Sequence, residues 1–168
     1  VSVSAAAAPM PNFVAATGSG VNHGYNGDNL FMTGGGVAAF DCSGDGQPDM
    51  YLAGGASPSS LFINRSKTGG ELKFSPVDDS PMTLDNVTGA YPLDIDGDGI
   101  TDLAVLRIGE NVLFRGLGDC KFERANEAWK FDGGDGWTVA FSATWEQGRD
   151  WPTLAIGNFM DRETIIMD

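Results

Sequence analysis

The chain has 168 residues, with 23 acidic against 10 basic side chains, one histidine, two cysteines and a net charge of −13. So large an excess of carboxylates argues against nucleic acid as a partner, because phosphate recognition needs a basic surface. No apolar run reaches the ~18 residues of a membrane-spanning helix, so no membrane span is expected.

Residues 1–11, VSVSAAAAPMP, are rich in small side chains and lack a basic n-region. They read as a flexible leader, or as the mature end left after removal of a signal peptide. Residues 12–35 are expected to supply an outer strand, within PNFVAAT, and a lead-in loop. His23, the sole histidine, has no triad-like partner and reads as a loop or capping residue. The GGG at 34–36 lacks the helix and lysine of a phosphate loop and reads as a turn into a strand.

The first full unit, 36–87, alternates apolar and turn residues as four strands: A, GVAAF; B, MYLAG; C, SLFIN; and D, LKFSPV. Between A and B lies DCSGDGQPD, with Asp41, Ser43, Asp45 and Asp49 at positions 1, 3, 5 and 9 and the Gln47 carbonyl at position 7. The second unit, 88–135, repeats the order with GAYPL, LAVLR, NVLFR and CKFERA. Its loop carries Asp94, Asp96, Asp98 and Asp102 at the same four positions and the Ile100 carbonyl at position 7. Hard oxygens at alternate positions of a glycine-rich turn can all face one centre, which is the pattern of a calcium loop. An EF-hand would place a bidentate Glu at position 12, whereas Val105 stands there inside a β-type run with no helix following. A hairpin whose turn is the metal site is expected instead, giving two Ca²⁺ sites, the first weaker because Ser43 replaces a carboxylate. The third unit, 136–168, has strands TVAFSA, TLAIG and TIIM, but Trp145, Gln147 and Arg149 stand where its loop ligands would be. No calcium is expected there.

Asp94 follows Asp41 by 53 residues, and the flanking pairs SLFINR/NVLFRG and LKFSPV/CKFERA move with it. A period of about 50 with several short strands per unit marks propellers or stacked repeats. The fold class is therefore all-β: about three four-stranded propeller blades. Propellers close with about four to eight, so the chain is expected to be part of a larger propeller or to pair with another chain.

The paired segments GGGVAAFDCSGDGQPDMYLAGG and VTGAYPLDIDGDGITDLAVLR, with the hairpin NVLFRGLGDCKFE, resemble FG-GAP/VCBS repeats. They are similar in particular to the CRTAC1-like, ASPIC/UnbV-associated secreted proteins, whose blades are like those of the integrin α-subunit. The resemblance covers roughly residues 12–168. It implies a calcium-stabilised propeller outside the cytoplasm, extracellular or periplasmic, without implying one agreed activity.

In such a compartment the even pair Cys42 and Cys120 is a candidate disulfide between adjacent blades, the alternative being two buried thiols. Sequons occur at Asn64 and Asn86, and Trp129, Trp137, Trp145 and Trp151 read as blade packing rather than as a sugar platform. No catalytic residue is identified, since the obvious carboxylates are assigned to calcium. The expected role is a non-catalytic binding or assembly module for a protein or glycan. The alternative is a piece of a propeller enzyme, such as a polysaccharide lyase, with its catalytic residues elsewhere.

Overall fold

A computed structural model describes residue 10 and residues 12–161. After a 3-10 turn at Asn29–Phe31, ten strands follow: β1 (Val37–Phe40), β2 (Asp49–Leu52), β3 (Ser60–Asn64), β4 (Phe74–Pro76), β5 (Val87–Leu93), β6 (Asp102–Arg107), β7 (Val112–Gly116), β8 (Phe122–Arg124), β9 (Trp137–Thr144) and β10 (Thr153–Met160). They form three antiparallel sheets in which sequence neighbours pair: β1-β2-β3-β4, β5-β6-β7-β8 and β9-β10. The all-β expectation holds, as does the four-strand order of the first two units; of the third unit only the first two strands fall among the described residues.

Burial explains why the strands differ in pattern. β1 alternates exposed and buried residues and so faces the core on one side. β6 is buried at five consecutive positions, which is why LAVL reads as a continuous apolar run. The second sheet lies between the other two and is covered on both faces. One core cluster joins Phe40, Tyr51 and Leu61 of the first sheet to Leu103, Val112 and Phe114 of the second. Another joins Ala104 and Leu113 to Phe141 and Leu154 of the third.

Polar groups fix the sheets to their connections. Tyr51, fully buried, hydrogen-bonds Ser59 Oγ at 2.7 Å and donates to the Met82 carbonyl at 2.8 Å. Asn111 stands at the start of the third strand of its sheet, as Ser59 does in the first. It donates to the Gly133 carbonyl and to Thr138 Oγ1, both at 2.9 Å. Thr138 Oγ1 in turn donates to Asn158 Oδ1 at 2.7 Å, and Thr88 Oγ1 donates to the Thr138 carbonyl at 2.6 Å. These buried bonds run from β5 and β7 to β9 and tie the second sheet to the third.

Two sequence expectations need correcting. The pairing of SLFINR with NVLFRG is one residue out of register. Met50 faces Phe62 and Leu103 faces Phe114, so Phe62 corresponds to Phe114 and Ile63 to Arg115. The link between the second and third strands is one residue shorter in the second unit, which comparison of apolar runs did not resolve. Residues 12–17 form no strand, and Phe13 and Val14 are 90% and 79% exposed, because no described strand lies alongside them to accept their backbone bonds. The expected strand at 164–167 lies outside the described residues.

The tryptophans divide. Trp137 is buried and stacks edge-on with Phe159, and Trp129 packs on Trp151, while Trp145 and Trp151 remain about half exposed. His23 is structural: its Nε2 lies 2.9 Å from the Ala53 carbonyl, which only accepts, so Nε2 carries the proton.

Cys42 and Cys120 are joined in a disulfide with their Cα atoms 4.6 Å apart, and the Cys120 amide donates to the Cys42 carbonyl at 2.9 Å. The bond ties the β1–β2 loop to the turn before β8, across two sheets. It closes a loop of 78 residues, for which chain entropy gives about 4 kcal/mol of stabilisation. Reduction is expected to lower the unfolding free energy by about that amount, and Cys120→Ala to remove the effect of reductant. Denaturant titrations with and without dithiothreitol check this; a midpoint indifferent to reductant in the unmodified chain would contradict it.

Candidate metal centre

Each acidic loop is the turn of a hairpin, between β1 and β2 and between β5 and β6. Position 1 organises the turn. Asp41 accepts from the amides of Gly44 at 2.8 Å and Asp45 at 3.2 Å through Oδ1, and from Gly46 at 2.8 Å through Oδ2. Asp94 accepts from Gly97 at 2.8 Å and Gly99 at 3.0 Å in the same way. The Gly46 bond, ahead of the others, holds the Asp41 carboxyl below its ordinary range. Gly44, Gly46, Gly97 and Gly99 have φ between +76° and +83°, where a side chain would be strained and glycine is not. At position 5, Asp45 accepts from the Gln47 amide and Asp98 from the Ile100 amide, each at 2.8 Å.

Position 9 is different. Asp49 and Asp102 are fully buried, and backbone amides hold both oxygens of each. Asp49 Oδ2 accepts from Cys42 at 2.9 Å and Ser43 at 3.0 Å, and its Oδ1 from Asn64 on β3 at 2.8 Å. Asp102 Oδ2 accepts from Ile95 at 2.7 Å and its Oδ1 from Gly116 on β7 at 2.8 Å. Burial raises the Asp102 carboxyl, opposed by these bonds. Position 9 thus fastens its loop to the third strand of its sheet.

Among the described residues, two groups of side chains bring ligand atoms within 4.8 Å of one another and could hold a metal ion: Asp94, Asp96 and Asp102; and Cys42, Asp49 and Cys120. The first is a set of hard oxygens, the chemistry that suits calcium rather than a thiophilic metal. In the second, the sulfurs lie 3.2 and 3.4 Å from Asp49 Oδ2. Being bonded to each other, they carry no proton to donate and no thiolate to coordinate. In the first loop Ser43 Oγ lies 3.4 Å from Asp41 Oδ1, but Asp41, Asp45 and Asp49 do not come together as a group of this kind, and Asp98 does not join the second group. The third hairpin turn closes differently: the Arg149 amide bonds the Glu146 carbonyl at 3.1 Å and Thr153 Oγ1 bonds Glu146 Oε1 at 2.8 Å.

Sequence reasoning missed Arg115. Its guanidinium reaches from β7 to the second loop, with Nε 2.8 Å from Asp96 Oδ2 and Nη2 3.1 Å from Asp98 Oδ2. Asp98 and Asp96 together hold the guanidinium above its ordinary pKa. The signal was a lone arginine in an apolar strand, hidden by the register error. Asn64 was read only as a sequon. Its side chain is buried, its Nδ2 donating to the Pro48 carbonyl at 2.9 Å and its Oδ1 accepting from Ser66 at 2.9 Å. The atom that would carry a glycan is committed to the fold.

A profile of FG-GAP-like repeats matches residues 41–105, from the first aspartate of the first loop into β6, taking in both acidic loops. A comparison with curated proteins finds no match.

The two kinds of aspartate are separable by substitution. Asp49→Asn and Asp102→Asn turn an acceptor pair into a half-donor facing backbone donors. Each is expected to cost about 2–3 kcal/mol even in chelator, since buried amides lose charged acceptors. Asp45→Asn, at an exposed position, is expected to change stability in chelator by less than about 0.5 kcal/mol. Urea unfolding in EGTA measures both, and equal losses at positions 5 and 9 would contradict the distinction.

Proposed function

We propose that this chain forms blades of a calcium-stabilised propeller that works outside the cytoplasm as a non-catalytic module for binding or assembly with a protein or glycan. The observation that carries the reading is the second acidic loop. Asp94, Asp96 and Asp102 converge there within 4.8 Å at a hairpin tip, inside the span matched by the FG-GAP-like profile. Asp94, Asp96 and Asp98, with the position 9 carboxylate and the Ile100 carbonyl, would supply hard oxygens to one calcium ion. Asp41, Ser43, Asp45, Asp49 and the Gln47 carbonyl would do so in the first loop. Because position 9 already grips the third strand, a cation held there would bind three strands of a sheet through one loop.

The disulfide between sheets supports an oxidising compartment. No helix among the described residues is long and apolar enough to cross a membrane. Two divalent ions would still leave nine negative charges, so the surface favours cationic or neutral partners over polyanions. The third sheet leaves Phe159, packed on Trp137, 57% exposed, and a further blade against this sheet would complete the ring.

Calcium at about 100 times its dissociation constant is expected to raise stability by roughly 2.7 kcal/mol per site, and EGTA to reverse the gain. Asp96→Ala is expected to forfeit more of it than Ser43→Ala, since a carboxylate contributes more to a calcium site than a hydroxyl. Differential scanning calorimetry in calcium and in EGTA checks this. Superimposable melting curves would end the calcium reading.

A further inference from the structure

The two loops differ in charge and in what stands over them. The first has three aspartates and Ser43; the second has four aspartates. Over the second lies Arg115, in ion pairs with the carboxylates at positions 3 and 5. At the corresponding point of β3 the first sheet has Ile63, which is apolar. Counting the arginine, the second loop carries the same net charge of −3 as the first.

We infer that Arg115 is a built-in counter-charge that sets the cation affinity of the second loop, holding it below what four aspartates would otherwise give. This rests on the calcium reading of the loops. The outer oxygens of Asp96 and Asp98, both Oδ2, are engaged by the guanidinium, while their Oδ1 atoms accept from the amides of Asp98 at 3.3 Å and Ile100 at 2.8 Å. A divalent ion entering this loop meets a fixed positive charge one carboxylate away, and it shares its ligands with that charge. Such repulsion is modest in water, and its scale corresponds to about tenfold in affinity. The arginine side chain is 40% exposed, so substitution there leaves the core intact. The same contact relieves carboxylate repulsion when no cation is bound, so the loop keeps its form over a range of calcium concentrations. Arg115 makes the two loops respond to a similar concentration despite their different ligands.

The test uses calcium chloride and isothermal titration in the full chain, with the first loop silenced by Asp41→Asn and Asp45→Asn. In that background Arg115→Gln is expected to bind calcium about tenfold more tightly than native Arg115, and Arg115→Lys to stay near the native value. Circular dichroism and thermal melts in EGTA confirm that each variant is folded. Calcium binding with native Arg115 that is unchanged or weakened by Arg115→Gln overturns this inference and leaves the calcium reading standing, as does equal tightening by Gln and Lys. An absence of binding in all three proteins, with Asp96→Asn equally silent, overturns both.

Discussion

A buried carboxylate at the end of each acidic loop is the constraint on which the rest of the architecture depends. Burying an ionised aspartate costs several kcal/mol unless it is hydrogen-bonded to satisfaction. At Asp49 three backbone amides meet that demand, two from the loop and one from β3. At Asp102 the bonds come from Ile95 and from Gly116 on β7. The loop must therefore curl back far enough for its second or third amide to reach position 9, and that curl requires the left-handed glycines. In the second loop it also brings the carboxylates at positions 1, 3 and 9 within 4.8 Å of one another. The arrangement that offers oxygens to a cation is a consequence of satisfying one buried acid.

Repetition at the level of contacts is closer than repetition at the level of residue type. Ser59 and Asn111 differ chemically, yet each opens the third strand of its sheet and each is buried. Their amides bond the carbonyls of Leu84 and Gly133, in the links leading to the next sheet. The longer asparagine side chain also reaches Thr138 of the third sheet, where the serine stays within its own. A short residue makes an internal brace; a long one makes a clamp between sheets. The middle sheet, covered on both sides, is where such clamps are possible, and its β6 is buried at five consecutive positions.

Much of this was legible in sequence because aspartate spacing is discrete. Four acids at alternating positions between apolar runs leave few readings, and the 53-residue offset of Asp94 from Asp41 exposed the unit. The strands' places followed from short apolar runs between turn residues, while their ends differ by up to three residues, as at β10, which runs on to Met160. What escaped depended on partners distant in the chain. Arg115 acts on Asp96 and Asp98 through a strand register that differs by one residue from the simplest alignment. Residues 12–17 have the short apolar run of a strand, but composition gives no partner, and a strand needs one to satisfy its backbone. The burial of Asn64 follows from the Asp49 contact, which the sequon pattern does not encode.

The disulfide joins residues 78 positions apart, one in the first acidic loop and the other at the threshold of β8. During synthesis the first sheet and its loop emerge well before Cys120 does. Until then Cys42 is an unpaired thiol beside a nearly finished sheet. The first repeat consequently cannot be covalently closed until the second is almost complete, and the long-range contacts between them are slow to form compared with the local hairpins. Closure of the bond is thus a joint event of both repeats, since Cys42 and Cys120 meet only where the first acidic loop lies against the turn before β8.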